Sequence, residues 1–530
     1  MIRRFAVVIA SVAVAAAFAC SRPAAKTPVR DTLYRHLEGD LTGLDPTTAN
    51  DELAPRVEEM MFRSLVGIDR ELRIVPALAL SWAVSSDGLV YDFRLDPSAR
   101  WEDGSPVTSA DVAFTIDRVR NPKVPAVNWK WGFEDVAKVE TPDPLTVIVR
   151  FDHPYAERLL AFNVPIVSAA AFAKNPESME RHPVGSGPYR LESWQPSQKI
   201  TLVRRADASS AQFPFARIVF RVIPDNAVRF QAGSRGELDE FKVTRDQRLA
   251  AERGADFQAH NRLLNVPQYL VVEVIYNLHN SFLADRRVRK ALALSWPRAD
   301  TARGLYPPDG ASLISGPYPA SARENASDVP PPAHDPAAAA RLLDEAGWKL
   351  GKDGLRSRGG KKASLEFLYP GGQPSAASIA QIFQQAYGKI GVELTLRTLD
   401  WPTFKERIAA GEFELAPYAN WFLPPHLDQY PYLHSSQAPP AGENVGFYRN
   451  PEADRAIEAA QRETDETKRI ELFRQVHRIV AADPPADFLW SVGQYWGVSK
   501  SLTGVEVSSL GLFHFAAGPL GWKPIPPPKR

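Results

Sequence analysis

The chain's only cysteine, Cys20, stands directly behind an apolar run, and that placement limits what the remainder can be. A single thiol permits no internal disulfide and no cysteine-based metal cluster, so 530 residues must fold by burying apolar surface alone. Met1-Ile2-Arg3-Arg4 is a short basic start, Phe5 to Ala19 is rich in Ala and Val, and Ala17 and Ala19 precede the cysteine. A basic start, a short apolar stretch and small residues before a cut make an export signal. Its apolar run of 15 residues falls short of the roughly 20 needed to span a bilayer. Residues 1–19 are therefore expected to be a signal peptide, and no later apolar run is long enough for a second membrane span.

The length is too great for one compact core, and one domain per roughly 150 residues allows two to four. With 44% hydrophobic and 24% charged residues, the chain is neither disordered, nor collagen-like, nor a multi-span membrane protein. Lys plus Arg number 63 against 62 Asp plus Glu, and without Arg3 and Arg4 the balance is 61 to 62. Such neutrality, with scattered basic residues, gives no footprint for nucleic acid, which is not expected as a partner.

Strand-like and helix-like segments alternate along the chain. Val90 to Leu95 has the period-two pattern of a strand. Thr108 to Val119 reads as a helix, with Thr108 as cap and Asp111 three residues on. Ala337 to Ala346 is a second, capped by Asp335, led by Pro336 and stopped by Gly347. Ile379 to Ile390 is a third, ended by Gly391, with a strand at Val392 to Leu396 after it. Pro451 to Ala482 carries two further helical stretches. Repeated helix-then-strand order implies α/β lobes. Glu58 and Glu59 fall on a predicted helix, where a solvated face is expected.

Catalytic signatures are missing. There is no Gly-x4-Gly-Lys-Ser/Thr, no His-Glu-x-x-His and no Gly-x-Ser-x-Gly. Gly185-Ser186-Gly187-Pro188-Tyr189 reads as a turn feeding a strand, because Pro188 does not open a phosphate-cradling helix in the usual way. The ten histidines are dispersed, and the spacing of His426 and His434 fits no standard metal pattern. No catalysis, metal or cofactor is expected.

Four groups of residues, in order, carry a resemblance. The first is Leu44-Asp45-Pro46, then Ser64-Leu65-Val66 and Pro76 to Trp82. The second is Asp87 to Leu95, then Trp101-Glu102-Asp103-Gly104-Ser105-Pro106 to Val112. The third is Gly185 to Tyr189, with Gly236-Glu237-Leu238-Asp239. The fourth is Asp285 to Leu292, with Leu342 to Trp348. Together they resemble the extracytoplasmic solute-binding proteins of family 5, the peptide, dipeptide and nickel class of ABC importers, over about residues 32 to 515. Separately, the signal that ends at Cys20 resembles a lipoprotein lipobox, with Ala17 where Leu is usual. That implies lipidation of Cys20, a tether over residues 20–30 and an extracytoplasmic protein anchored to a membrane.

The family resemblance implies an α/β, two-lobed periplasmic-binding fold (type II, cluster C-like) with an extra subdomain inserted in lobe I. Lobe I would span 31–270 with the insert near 71–184, lobe II 271–484, and 485–530 would return to lobe I. Crossover strands would lie near Tyr269 to Asn277 and Phe488 to Gln494. The implied activity is capture of a peptide or peptide-like solute by hinge closure, and its delivery to a permease and ATPase complex by a monomeric receptor. A non-peptide solute, such as a sugar derivative or metal chelate, and a signalling or chaperone role remain alternatives.

Carried over position by position, the implied ligand contacts are Asn50, Glu52, Trp129, Trp131, Asn277, Trp401, Trp421, Asp428, Trp490 and Tyr495. One departure bears on the ligand. Oligopeptide binders of the family place an acid shortly after the Trp, and here Trp421 is followed by Phe422-Leu423-Pro424-Pro425. The arginines such binders use near Ile408 and Pro417 are also missing, although Arg407 is adjacent. A buried ammonium without a partner is costly, so Glu52 or Asp428 is expected to replace the lost anchor if the ligand is a free peptide.

Overall fold

The computed structural model describes residues 31–525 other than 50, 209–210, 308, 373, 422–426, 441, 509 and 517. At 177–178, 267, 374, 420 and 421 it describes the backbone. The expected leader, Cys20 and its tether lie outside the described residues. No helix among the described residues is long and apolar enough to cross a membrane.

Two long strands organise the chain, an outgoing strand Asn261–Tyr276 and a return strand Ala486–Ser499. They pair antiparallel, from Asn261 opposite Ser499 to Ile275 opposite Ala486. Both run further into lobe I than the crossover strands the resemblance implied, because the backbone ladder continues through Arg262 and Asn265 on one strand and on to Ser499 on the other. Through them one eleven-stranded sheet joins two lobes. The return strand pairs with Glu240–Val243, followed outward by Thr32–Leu37, Arg217–Val222, Lys199–Arg204 and Tyr189–Gln195. The outgoing strand pairs with Leu415–Trp421, followed by Ser364–Pro370 and Glu393–Leu399. The last two are parallel and joined by the helix Pro374–Lys389, a right-sized βαβ unit.

The ladder between the long strands lapses between Pro267 and Val271. Pro267 has no N–H to give, and from Leu270 onward the outgoing strand pairs with Leu415–Trp421. The lapse separates the pairing that serves one lobe from the pairing that serves the other.

Local signals are realised closely. The Thr108 N–H donates to the Asp111 carboxylate at 2.9 Å, starting Ser109–Arg120. Asp335 accepts from the Ala338 N–H at 2.8 Å, and Gly347 ends that helix with φ of +86°. The helix expected from Ile379 begins earlier, at Pro374, and the strand expected to Leu396 runs on to Leu399. The two expected C-terminal helices are Pro451–Arg462 and Glu466–Ala482.

Each lobe has its own core. In lobe I, Leu33, Met60, Phe220 and Trp496 pack with Phe513 and Trp522, so the C-terminal segment completes the first lobe. The insert is a four-stranded sheet, Ala79–Val84, Val90–Leu95, Thr146–Phe151 and Val136–Asp143, over Phe93, Trp101, Ile116 and Phe162. In lobe II, Val274, Tyr276, Trp296, Phe383 and Trp490 fill one face of the sheet.

Glu58 and Glu59 do not form a solvated face. Their helix, Ala54–Met61, is enclosed, and Glu58 is buried while Glu59 is largely so. Burial pushes Glu59 up to about 7, and holds Glu58 well above the usual carboxylate range with Asp45 and Asp51 adding to it. A helix of eight residues wedged between the sheet's Arg35 and the loop holding Asp45 and Asp51 has little side left for water.

Candidate functional site

Along the outgoing strand, side chains alternate between two faces. Val274 and Tyr276 enter the lobe II core just described. Tyr269, Val271 and Ile275 point the other way, into a cluster drawn from both lobes. Ile68, Leu72 and Leu160 come to it from the first lobe; Phe404, Leu427, Tyr448 and Phe473 come from the second. Trp131 and Tyr418 pack at its margin. This shared cluster marks the junction between the lobes and shows them closed on one another.

Away from the long strands, the junction is held by polar contacts. Tyr155 Oη donates to Asp428 Oδ2 at 3.4 Å, and Gln461 Nε2 donates to the same oxygen at 2.6 Å. The Ala156 N–H donates to the Gln461 carbonyl at 2.8 Å, and Arg469 lies 4.0 Å from Glu157. The other Asp428 oxygen accepts from the Tyr430 N–H at 2.9 Å. Burial, with Asp428 adding to it, keeps Tyr155 well above its ordinary pKa, so the hydroxyl stays a donor.

The predicted contacts are distributed unevenly around this junction. Trp131 stacks edge-on to Tyr155, with ring centres 6.1 Å apart, and its indole N–H donates to the Asn128 carbonyl at 3.0 Å. Trp129 donates to the Pro46 carbonyl at 3.0 Å, and Asn128 Nδ2 donates to that of Ala49 at 2.8 Å. The insert therefore clips the loop that follows Leu44-Asp45-Pro46, which Arg118 also holds through Asp45 at 2.6 Å. Glu52 is exposed beyond that loop, and Asn50 lies outside the described residues. Trp401 is 50% exposed at the start of Trp401–Ala409 and stacks on Phe404. Trp421 pairs through its backbone with Leu270, and its side chain lies outside the description. Asp428 is at the junction, engaged as above.

Three predicted contacts sit elsewhere. Trp490 is fully buried in the lobe II core against Trp296 and Tyr306, because a bulge at Val272 and Glu273 turns it to the far face. Asn277 is buried, its amide N–H groups donating to the Gly411 and Phe413 carbonyls at 2.8 Å and its oxygen accepting from the His279 N–H. It ties the end of the outgoing strand to lobe II. Tyr495 donates to Asp309 at 3.2 Å, in a group with Arg248 that joins the lobes where the long strands pair.

Sequence reading missed Tyr155, Gln461 and Glu273. Glu273 had a visible signal, a lone acid within the apolar stretch Val271 to Ile275. The contacts of Tyr155 with Asp428 and of Ala156 with the Gln461 carbonyl had none, since they span hundreds of residues and follow from how the lobes meet. Charge pairs elsewhere serve the scaffold. Glu240 holds Arg35 at 3.0 Å and Arg56 at 3.1 Å in lobe I, and Asp487 holds Arg298 at 2.6 Å in lobe II. A surface groove of about 530 Å³ on the insert is lined by Asp117, Arg120, Asn121, Lys130 and Glu134. Its charges pair off, Arg120 with Asp117 and Lys130 with Glu134. Among the described residues no group of three or more His, Cys, Asp or Glu could hold a metal ion.

Comparison with known proteins agrees with this architecture. The chain is 25% identical over 491 residues to the oligopeptide-binding protein AppA of Bacillus subtilis, covering 88% of this chain and 87% of that one. It is 26% identical over 492 residues to the glutathione-binding protein GsiB of Pectobacterium atrosepticum, covering 89% and 91%. Among solved structures, HbpA2 of Haemophilus parasuis superposes with a TM-score of 0.81 at 21% identity, over 93% of this chain and 99% of that one. AppA in complex with a nonapeptide gives 0.72 at 23% identity, over 94% and 100%. Residues 73–441 match the middle region of the bacterial extracellular solute-binding proteins, family 5, and the chain belongs to that family.

Proposed function

We propose that this protein is the receptor of an ABC importer, enclosing a peptide or peptide-like solute between its lobes and presenting it to a membrane permease with cytoplasmic ATPases. The observation that carries the reading is the junction itself: two lobes on two long strands, closed around a cluster to which both contribute. A ligand stabilises whichever state, open or closed, binds it better, so ligand and hinge are coupled. The relatives named for oligopeptides and glutathione support a peptide-like ligand. Glu52, Trp129, Trp131, Trp401 and Trp421 are proposed to wall the site, with no chemistry performed on the solute. Cys20 is proposed to carry the lipid that anchors a monomer outside the cytoplasm, ahead of lobe I at 31–270, lobe II at 271–484 and the return from 485.

Native mass spectrometry of the protein without its leader, followed by thermal-shift screening against peptide and non-peptide solutes, tests this. A ligand at 100 times its dissociation constant adds about 2.7 kcal/mol of stability, an easily measured shift. Stabilisation by short peptides is expected. Stabilisation confined to sugars or metal chelates would replace the peptide with that class.

A further inference from the structure

We infer that the far end of lobe II is a basic face that rests on the headgroups of an anionic bilayer. The inference goes beyond the receptor reading and stands apart from the lipid proposed for Cys20, since it concerns a folded surface.

Two basic runs of the sequence meet there. One is Arg286-Arg287-Val288-Arg289-Lys290, which opens the helix Arg286–Leu294. The other is 349–362, with six Lys or Arg against the single acid Asp353, a local excess in a chain whose charges balance to +1. Strand register places both away from the junction. The outgoing strand meets Leu415 at Tyr276, Phe367 stands beside Leu415, and Ser364 with Glu393 lies beyond them. Just before Ser364 come three short strands, Lys349–Leu350, Arg356–Arg358 and Lys361–Lys362, paired in that order. Arg287 donates to the Glu345 carbonyl at 2.9 Å and Arg358 to that of Ala346 at 3.0 Å, so the two runs share one surface. Lys389 joins them, because Arg356 donates to the Ile390 carbonyl at 2.8 Å and to that of Gly391 at 2.7 Å.

The scaffold uses only some of these charges. Arg289 and Arg356 are buried and bonded to Asp483 and Asp344. Arg287, Lys349 and Lys362 meet Asp285, Asp344 and Asp353 in surface pairs of little worth. Arg286, Lys352, Lys361 and Lys389 are exposed and form no ion pair among the described residues. Gly359 and Gly360, with φ of +57° and +80°, turn the chain so that Arg358 stands directly opposite Lys361. Like charges in that position repel, so the fold gains nothing by placing them there. Leu350, 59% exposed, lies among them. A Cβ built on Gly354, Gly359 or Gly360 meets nothing within 4 Å, so these turns project into open solvent and line no groove. Projecting lysines around an exposed leucine suit a plane that takes charge and apolar side chain together, which an anionic bilayer does and a shaped protein partner does not.

The protein without its leader and Cys20 is sedimented with vesicles of phosphatidylcholine alone or with about one-third phosphatidylglycerol, at low and at physiological salt. Binding is expected to the anionic vesicles only, and is expected to fall as salt screens their surface. Each basic charge near such a surface is worth about fivefold in partitioning, so Lys352→Gln, Lys361→Gln and Lys389→Gln together are expected to lower it about a hundredfold. These side chains are exposed, so the melting temperature is expected to hold. Lys123→Gln, Lys174→Gln and Lys199→Gln together, exposed on the first lobe and its insert, change the net charge equally and are expected to leave partitioning unaltered. Leu350→Ser is expected to weaken binding severalfold at either salt. Equal losses in the two triple variants reduce the effect to net charge and overturn the inference, as does binding no better to anionic than to neutral vesicles. Binding confined to native membrane vesicles, and lost when their surface proteins are digested, gives this face to a protein partner and overturns it too. Stabilisation by peptides is read separately, so the receptor reading stands or falls on its own.

Discussion

Trp401 and Trp490 carry the same side chain into opposite surroundings, one half exposed on a helix start and the other enclosed between Trp296 and Tyr306. Their truncations should separate accordingly. Trp401→Ala is expected to weaken ligand binding by about 1–2 kcal/mol with a melting temperature within a few degrees, since half of the ring is already in water. Trp490→Ala is expected to cost about 3–5 kcal/mol of stability, because the surrounding core cannot collapse into the space. Urea unfolding with ligand titration reads both. Unchanged affinity in the first variant removes Trp401 from the site, and a mild second variant contradicts its place in the core. Nothing in a single sequence distinguishes the two tryptophans. The difference lies in a bulge that sends Trp490 to the far face.

At the level of elements, the turn before Tyr189–Gln195 shows why glycine occurs where it does. A Cβ built on Gly187 would sit 2.6 Å from the Met61 carbonyl carbon, and one on Gly185 would sit 2.1 Å from its oxygen. These are backbone atoms of a helix end, so they cannot move aside as a flexible side chain can. Gly187→Ala is expected to destabilise lobe I by about 1–3 kcal/mol through overpacking, seen as a lower urea midpoint at unchanged slope. A neutral result would mean the helix end shifts freely. The turn was legible from its composition. Its reason, the close approach of Ala54–Met61, was not. The same holds for Glu58 and Glu59, whose helix was readable and whose burial was decided by what packs on both sides of it.

For the whole molecule, closure depends on contacts distant from the long strands. Tyr155 Oη donates to Asp428 and the Ala156 N–H to the Gln461 carbonyl, so the insert is fastened to lobe II, where Gln461 Nε2 holds Asp428 in place. A hydrogen bond of this kind contributes about 0.5–1.5 kcal/mol net, enough to shift an open–closed equilibrium severalfold. Tyr155→Phe, which removes the inter-lobe hydroxyl and keeps the ring, is expected to raise the ligand-free radius of gyration in small-angle scattering and to weaken binding about two- to tenfold. Scattering and affinity identical to wild type would show that the shared apolar cluster alone sets closure.

The sequence by itself determined the elements and the family. Caps at Thr108 and Asp335, stops at Gly347 and Gly391 and ordered motifs over most of the chain are short-range features, fixed by backbone chemistry within a few residues. The positions of the long strands, though not their full length, followed from the family resemblance. Only the tertiary structure decided which side chains reach the junction. It gave Asp428 to a fastening between lobes, put Trp490 and Asn277 into the scaffold, and brought Glu273 to a buried face shared by both lobes. The physical reason is that strand alternation, one bulge and the meeting of two lobes set orientation and burial, and these depend on partners far away in the chain.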